Sequence, residues 1–371
     1  MKRLLVLLLC FVLVPLCAEA SEPFAVAAKG AVLIDAETGC VIFGQNENEP
    51  LPMASTTKVM TTLLALENAD LSDLVTAGPN ACGVPGTSMY LSEGETLSME
   101  HMLYGLMLRS GNDAAVAVAE HVAGSVDAFA DMMNARAAEL DADARFVNPH
   151  GLDADGHRIS ALGLARIMRE AMKNPDFRVI TSARRKIVPW VSNEYSRVLE
   201  NKNKLLRTYE GATGGKTGYT GKAGRCLVFS AERDGLSLIG AVLGCPTWFD
   251  TAARLLDYGF EYFRTERALA EGEIVARIPV LHGMAESLAL AAASPLVATL
   301  PIGNTVRIIL DLPERVEAPV SAGQVLGTAM LKSGGEIIAR CDVVAAATVE
   351  RRDFAQALKR LLRRWVLPLQ R

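Results

Sequence analysis

Strand-like segments stand at both ends of a run of helical ones, and this order restricts the fold more than any other feature of the chain. Residues 25–46 contain AVLIDAETGCVIFGQN, two apolar runs around Glu37-Thr38-Gly39 that read as a hairpin. Helical periodicity follows over Ser55 to Leu66, Met99 to Leu108, Asp113 to Val122, Asp127 to Leu140 and Ala161 to Met172. The Ala-rich stretch DAAVAVAEHVAG ends at Gly124, a C-cap signal. After residue 222 the strand period returns. GRCLVFSAERDGLSLIGAVLG reads as two strands joined at Arg233-Asp234-Gly235, and a helix follows through TAARLLDYGFEYF. Helices between two strand-forming ends predict a mixed sheet, closed by those ends and covered by the helices.

From about residue 266 the texture changes. EIVARIPVL, SLALAAA, TVRIILDL, GQVLGTAML and EIIARCDVVAA are short apolar runs separated by Gly, Pro and Asn, which predicts a small all-β domain. The expected division is a leader over 1–20, a first domain over 21–265, the β-rich domain over 266–349 and a tail over 350–371. The leader expectation rests on Met1-Lys2-Arg3, an apolar run from Leu4 to Leu16, and Ala18-Glu19-Ala20 before Ser21. The run is too short to span a bilayer comfortably. Cys17 is a weaker lipoprotein signal, because Leu16 occupies a place that wants a small residue. The chain is therefore expected to be exported.

Charge is distributed unevenly. Residues 21–349 carry 29 Lys/Arg against 39 Asp/Glu, a net of −10, while residues 350–371 carry seven against two, a net of +5. In the tail, Phe354, Leu358, Leu361, Leu362, Trp365 and Leu369 share one helical face, with Lys359, Arg360, Arg363 and Arg364 largely off it. A basic amphipathic helix of this kind suits an anionic membrane surface; nucleic acid is not an expected partner. The five cysteines beyond the leader (Cys40, Cys82, Cys226, Cys245 and Cys341) have scattered spacing and read as buried free thiols. The five histidines lack metal-ligand spacing, so neither metal nor cofactor is expected.

GATGGKTGYTG, residues 211–221, resembles a phosphate loop but lacks its opening glycine, since Glu210 stands there. Strands rather than a helix follow it, so a P-loop NTPase is the weakest reading. Lys216 needs other company. Ser55 and Lys58 sit three apart at the head of a helix, close enough to hydrogen-bond. A serine hydroxyl becomes a strong nucleophile when a base takes its proton. A lysine serves as that base when desolvation or a neighbouring cation lowers its pKa, and Lys216 could be that cation. Ser110-Gly111-Asn112 supplies a hydroxyl for proton relay and an amide for a peptide-like substrate. Taken singly, each motif reads equally well as a helix start, a cap or a turn. Together, S-x-x-K, S-x-N and K-T-G in that order are specific to penicillin-interacting serine enzymes.

ASTTKVMT, SMYLSEGETLSMEHMLYGLMLRSGNDAAVAVAEHVAG, FVNPHGLDADGHRISALGLARIM, GGKTGYTGKAGRCLVFSAERDG and LLDYGF resemble the low-molecular-mass penicillin-binding proteins that are D-alanyl-D-alanine carboxypeptidases. The chain looks most like the branch known from spore-forming bacteria. The resemblance implies an α+β penicillin-binding domain, its helices packed on a mostly antiparallel sheet. It implies acyl transfer from a peptidoglycan stem pentapeptide to Ser55, with Lys58 as base and Ser110 in the proton path. The N–H groups of Ser55 and Tyr219 would form the oxyanion hole. Lys216 and Thr217 would hold the terminal carboxylate. Gly218 and Thr220 would complete the substrate-binding strand, and β-lactams would acylate Ser55.

Thr213 and Gly215 depart from the family pattern, where an acid and an apolar residue are expected. Gly163 stands where aspartate is common, and Trp248 where many members carry an arginine associated with the carboxylate. His150 and His157 are expected to be structural, since no G-x-S-x-G elbow accompanies them. Met102, Met107, Met132 and Met133 read as core filler on helices. Four alternatives share part of this evidence. A D,D-endopeptidase or transpeptidase would use the same chemistry. A class A β-lactamase would need a deacylating glutamate that is not evident here. A non-catalytic homologue would bind peptidoglycan without turnover.

Overall fold

The structure, a computed structural model, describes residues 24–191 and 193–353. The expected leader lies outside them, as do residues 354–371 of the expected tail helix. Residues 350–353 are not helical: Arg351 forms an isolated antiparallel bridge with Gly283. The described chain divides into two compact units, one ending at Phe263 and one beginning at Arg264.

The first unit is built on a five-stranded sheet. β1 (Gly30–Asp35) and β2 (Val41–Gln45) form the N-terminal hairpin; β3 (Ala212–Thr220), β4 (Gly224–Arg233) and β5 (Leu236–Leu243) form a meander. The order is β2-β1-β5-β4-β3, with Gly30 opposite Leu243, so the unit's two ends close the sheet. Every pairing is antiparallel, so the sheet is not mixed. Parallel neighbours need a crossover connection. Here the helical run joins β2 to β3, which lie on opposite edges, and no crossover between neighbours arises.

Alternate residues of β1 serve two cores. Val32 and Ile34 join the helical core, while Ala31 and Leu33 join a second one formed with α7 (Trp248–Tyr262). At the centre of the first core runs α1 (Lys58–Asn68), whose residues 58–65 are all buried. Lys58, Thr61 and Thr62 are buried there together with the apolar residues of the helix. Around it pack α2 (Met99–Tyr104), α3 (Asn112–Ala123), α4 (Val126–Glu139) and α5 (Ala161–Ala171). A π-helical turn over Gly105–Arg109 follows α2 and ends at Ser110. Sequence periodicity did not mark α6 (Pro175–Ser182) or the hairpin of Arg185–Val188 with Arg197–Glu200. Pro175 looks like a breaker but occupies the first turn of α6, capped by the Asn174 side chain.

The second unit is all-β. A six-stranded sheet contains Ile274–Leu281, Ser287–Ala292, Val306–Asp311, Val325–Ser333 and Glu336–Ala345, with Val316–Glu317 pairing in parallel at one edge. Leu290, Leu331 and Val343 are fully buried in its core. Cys226, Cys245 and Cys341 are buried free thiols and Cys82 is a half-buried one. Cys40 departs from the expected free thiols, because its sulfur is disulfide-bonded.

One buried ion pair ties the walls of the helical half together. Arg197 reaches Glu95 at 2.6 and 2.8 Å with both groups almost fully buried, and also donates to the carbonyls of Met89, Tyr90 and Pro189. Burial pushes the Glu95 carboxyl up, but the bonds from Arg197 outweigh it and hold the group below its ordinary value of 4.5. The pair therefore contributes stability above that pH and loses it as pH falls. Arg197→Met strands Glu95 and is expected to cost about 3–5 kcal/mol in denaturant melts at pH 7. The deficit should shrink below pH 4.5, where a neutral Glu95 no longer needs its partner. A deficit that is small or independent of pH would show that the pair carries little.

Candidate active site

Ser55 lies in a 3-10 turn over Ala54–Thr57 that leads directly into α1. Ala54 before it adopts φ +49°, and Ser110 adopts φ +69°. Such left-handed conformations are uncommon for residues other than glycine and concentrate at functional sites. The turn half-exposes Ser55, while Lys58, one turn on, is fully buried.

Lys58 Nζ has three partners. It lies 2.7 Å from Asn112 Oδ1, 2.6 Å from the His150 carbonyl and 3.1 Å from Ser55 Oγ. The first two can only accept, whereas the serine hydroxyl can also donate. A neutral amine satisfies this arrangement with two N–H bonds and its lone pair turned to the Ser55 proton. Burial favours that state and holds Lys58 well below the usual lysine range, with the charges of Lys216 and Lys202 acting in the same direction. Asn112 cannot flip without loss, because its Nδ2 donates to the Pro85 carbonyl at 2.6 Å. Both ends of this amide are thus engaged inside the protein, and Asn112 also lines the cleft.

Lys216 sits mid-strand on β3, not in a helix-opening loop. It is 1% exposed, and its Nζ donates to Ser110 Oγ at 3.0 Å and to the Thr217 carbonyl at 2.8 Å. Burial first, then the Lys202 charge, lower its pKa to about 7. An ammonium so committed is poorly placed to be the main carboxylate clamp.

β3 is an edge strand, and its free edge borders the site. Gly215 exchanges bonds through both its N–H and its carbonyl with Thr181 Oγ1 of α6, so these groups point away from β4. The antiparallel register runs without a shift from Gly215 to Thr220. By alternation, the N–H groups of Thr217 and Tyr219 also point to the open edge. Gly218 lets this strand approach the nucleophile: a Cβ there would sit 2.8 Å from the Ser55 nitrogen. Thr220 Oγ1 donates to Asp153 at 2.8 Å at the rim.

A cleft of about 580 Å³ opens over these groups. Ser55, Ser110, Asn112, Thr217, Gly218, Tyr219 and Thr220 line it, together with Lys202, Lys204, Arg225, Trp248 and Phe249. Of the last five, the sequence drew attention only to Trp248, as a departure from the family pattern; proximity in the fold reveals the other four. Neither predicted structural histidine bonds Ser55 among the described residues. His157 accepts from the Val147 N–H, faces Thr57 Oγ1 at 2.9 Å, and is lowered to about 4 mainly by burial. His150 accepts from the Leu152 N–H and is lowered to about 3, again mainly by burial.

Residues 17–247 match the D-alanyl-D-alanine carboxypeptidase family, and residues 263–351 match the C-terminal domain of penicillin-binding protein 5. The chain belongs to the D-alanyl-D-alanine carboxypeptidase family. It is 34% identical over 350 residues to the D-alanyl-D-alanine carboxypeptidase DacF of Bacillus subtilis, covering 91% of this chain and 90% of that one. This agrees with the expected branch. It is 32% identical to the D-alanyl-D-alanine carboxypeptidase DacA of Escherichia coli, covering 88% and 85%. The crystal structure of penicillin-binding protein 5 from Haemophilus influenzae superposes with a TM-score of 0.81 at 29% identity, over 90% of this chain and 100% of that one.

The departures from the family pattern now have surroundings. Thr213 Oγ1 donates to Ser230 Oγ at 2.8 Å. Gly215 has φ +140°, and a Cβ there would lie 2.3 Å from the Val228 carbonyl, so any side chain at this position would force the strand to shift. Trp248 lines the cleft beside Arg225. Lys202 also lines it, with burial and the Arg109 charge lowering its pKa.

Removing the Lys202 charge should let Lys58 and Lys216 hold their protons to higher pH. The acidic limb of the pH profile for Ser55 acylation by a penicillin is therefore expected to move to higher pH in Lys202→Ala. An unmoved or lowered limb would show that this charge does not reach the base.

Proposed function

We propose that the chain is a serine-type D-Ala-D-Ala carboxypeptidase that removes the terminal D-alanine from peptidoglycan stem pentapeptides through an acyl-enzyme on Ser55. The observation that carries the reading is the Ser55 hydroxyl beside a buried lysine whose two other hydrogen bonds both go to pure acceptors. Ser55 Oγ attacks the carbonyl carbon between the two D-alanines as its proton passes to Lys58 Nζ. The carbonyl electrons move onto oxygen, where the N–H groups of Ser55 and Tyr219 receive the charge. Ser110, bonded to Lys216, lies in the path that returns a proton to the leaving amine, and the C–N bond breaks. Water then hydrolyses the ester. Asn112 holds Lys58 in register, and Lys216 disfavours a proton on it.

The open edge of β3 from Thr217 to Thr220 receives the extended substrate backbone as an added strand, which suits a peptide with few large side chains. The Thr217 hydroxyl is offered to the terminal carboxylate. A β-lactam presents the same kind of amide within a ring and acylates Ser55, with its leaving group still tethered.

Ser55→Ala is expected to abolish both covalent labelling by a fluorescent penicillin and D-alanine release from a pentapeptide. Lys58→Ala should slow acylation by about 10²–10⁴-fold, the usual worth of a positioned base. D-alanine release that survives Ser55→Ala would contradict the assignment.

The apolar leader-like N-terminus and the basic amphipathic tail support export and attachment to an anionic membrane surface through residues 354–371. No helix among the described residues is long and apolar enough to cross a membrane. Protein lacking 354–371 is expected to leave phosphatidylglycerol-containing vesicles in sedimentation assays, while protein carrying them stays bound in low salt. Equal binding by both would remove the anchor.

A further inference from the structure

A carboxypeptidase must recognise a free terminal carboxylate, and the central lysines are poorly placed for that task. Lys58 is engaged with the nucleophile, and Lys216 is buried and bonded to Ser110 and Thr217. Yet a guanidinium does reach the same cleft. Arg225 lies on β4 directly opposite Tyr219, and its side chain is exposed to the cavity that holds Ser55 and Thr217.

Two contacts hold it there. One guanidinium nitrogen donates to the Pro246 carbonyl at 2.8 Å, and the group lies 5.8 Å from the centre of the Trp248 ring. These contacts restrain the side chain while leaving most of its five N–H donors available. Arg225 has no acidic partner among the described residues, unlike Arg136, Arg166 and Arg197, which are all paired. We propose that Arg225, propped by Trp248, is the cation that reads the substrate's C-terminal carboxylate. Trp248 supports a guanidinium supplied by the strand beside β3.

Lys202 is the main competitor, since it also faces the cleft. Two arguments favour Arg225. A planar fork matches a carboxylate in a paired geometry that an ammonium cannot offer. Lys202 also helps to keep Lys58 neutral, so neutralising it with a substrate carboxylate would weaken the base as substrate arrives. Arg225 is not among the charges acting on Lys58 or Lys216.

The proposal rests on the carboxypeptidase reading, and the test separates the two. kcat and KM are measured for a stem-type pentapeptide ending in D-Ala-D-Ala and for its C-terminal amide. In parallel, acylation of Ser55 by benzylpenicillin and by its methyl ester is followed by mass spectrometry. Arg225→Gln keeps a donor for Pro246 but removes the charge. It is expected to lower kcat/KM on the acid about ten- to a hundredfold, mostly through KM, and to leave the amide nearly unchanged. Arg225→Lys should recover part of the loss, and Trp248→Ala should give a smaller loss in the same direction. The penicillin should lose its advantage over its ester in Arg225→Gln. An unchanged acid-to-amide ratio, or a preference that vanishes in Lys202→Ala instead, overturns the proposal. Failure of the unaltered protein to cleave either peptide would overturn the carboxypeptidase reading, and the penicillin pair would still decide Arg225.

Discussion

The burial of one lysine organises this active site. α1 runs through the centre of the helical core, buried from residue 58 to residue 65, and carries Lys58 there with it. Charging a lysine in such a place is costly, and a second lysine nearby raises that cost. The amine is therefore held as a base, and the groups around it suit that form. Asn112 Oδ1 and the His150 carbonyl take its two hydrogens, leaving the lone pair for Ser55. The chemistry follows from where the helix lies as much as from the residues themselves.

The sheet supplies what the helix cannot. The unit's two ends meet between β1 and β5, which sends the meander outward and leaves β3 as an edge. An edge strand with free N–H groups is a hazard in most proteins. Here it borders a cleft in which an extended peptide can pair with it. Gly218 brings the edge to the start of α1, and the Thr181 hydroxyl of α6 anchors it at Gly215. The Arg197–Glu95 pair then fixes the loop over Met89 and Tyr90 to the hairpin after α6.

Much of this was legible before any coordinates. The N-terminal hairpin, six of the seven labelled helices, the β-rich second unit and the trio around Ser55, Ser110 and Lys216 follow from local periodicity and spacing. What escaped depends on contacts between distant segments. Cross-strand register brings Arg225 opposite Tyr219, and no periodicity marks it. The hydrogen bonds of Asn112 also escaped, because its partners, Lys58 and Pro85, are far from it in sequence. A proline that reads as a breaker instead begins α6. The sheet expected to be mixed, from strands at both ends with helices between, is antiparallel throughout because the helical run joins opposite edges.

The central claim is that Lys58 is uncharged at the pH where the enzyme works. The most direct measurement is an NMR titration of the lysine side chains in uniformly labelled protein, with Lys58 assigned through a Lys58→Arg variant. The account predicts a Lys58 resonance that reports a neutral amine at neutral pH and gains its proton only well below the range of the exposed lysines. A Lys58 signal that stays protonated until the exposed lysines titrate would contradict the account, and the base for Ser55 would then lie elsewhere.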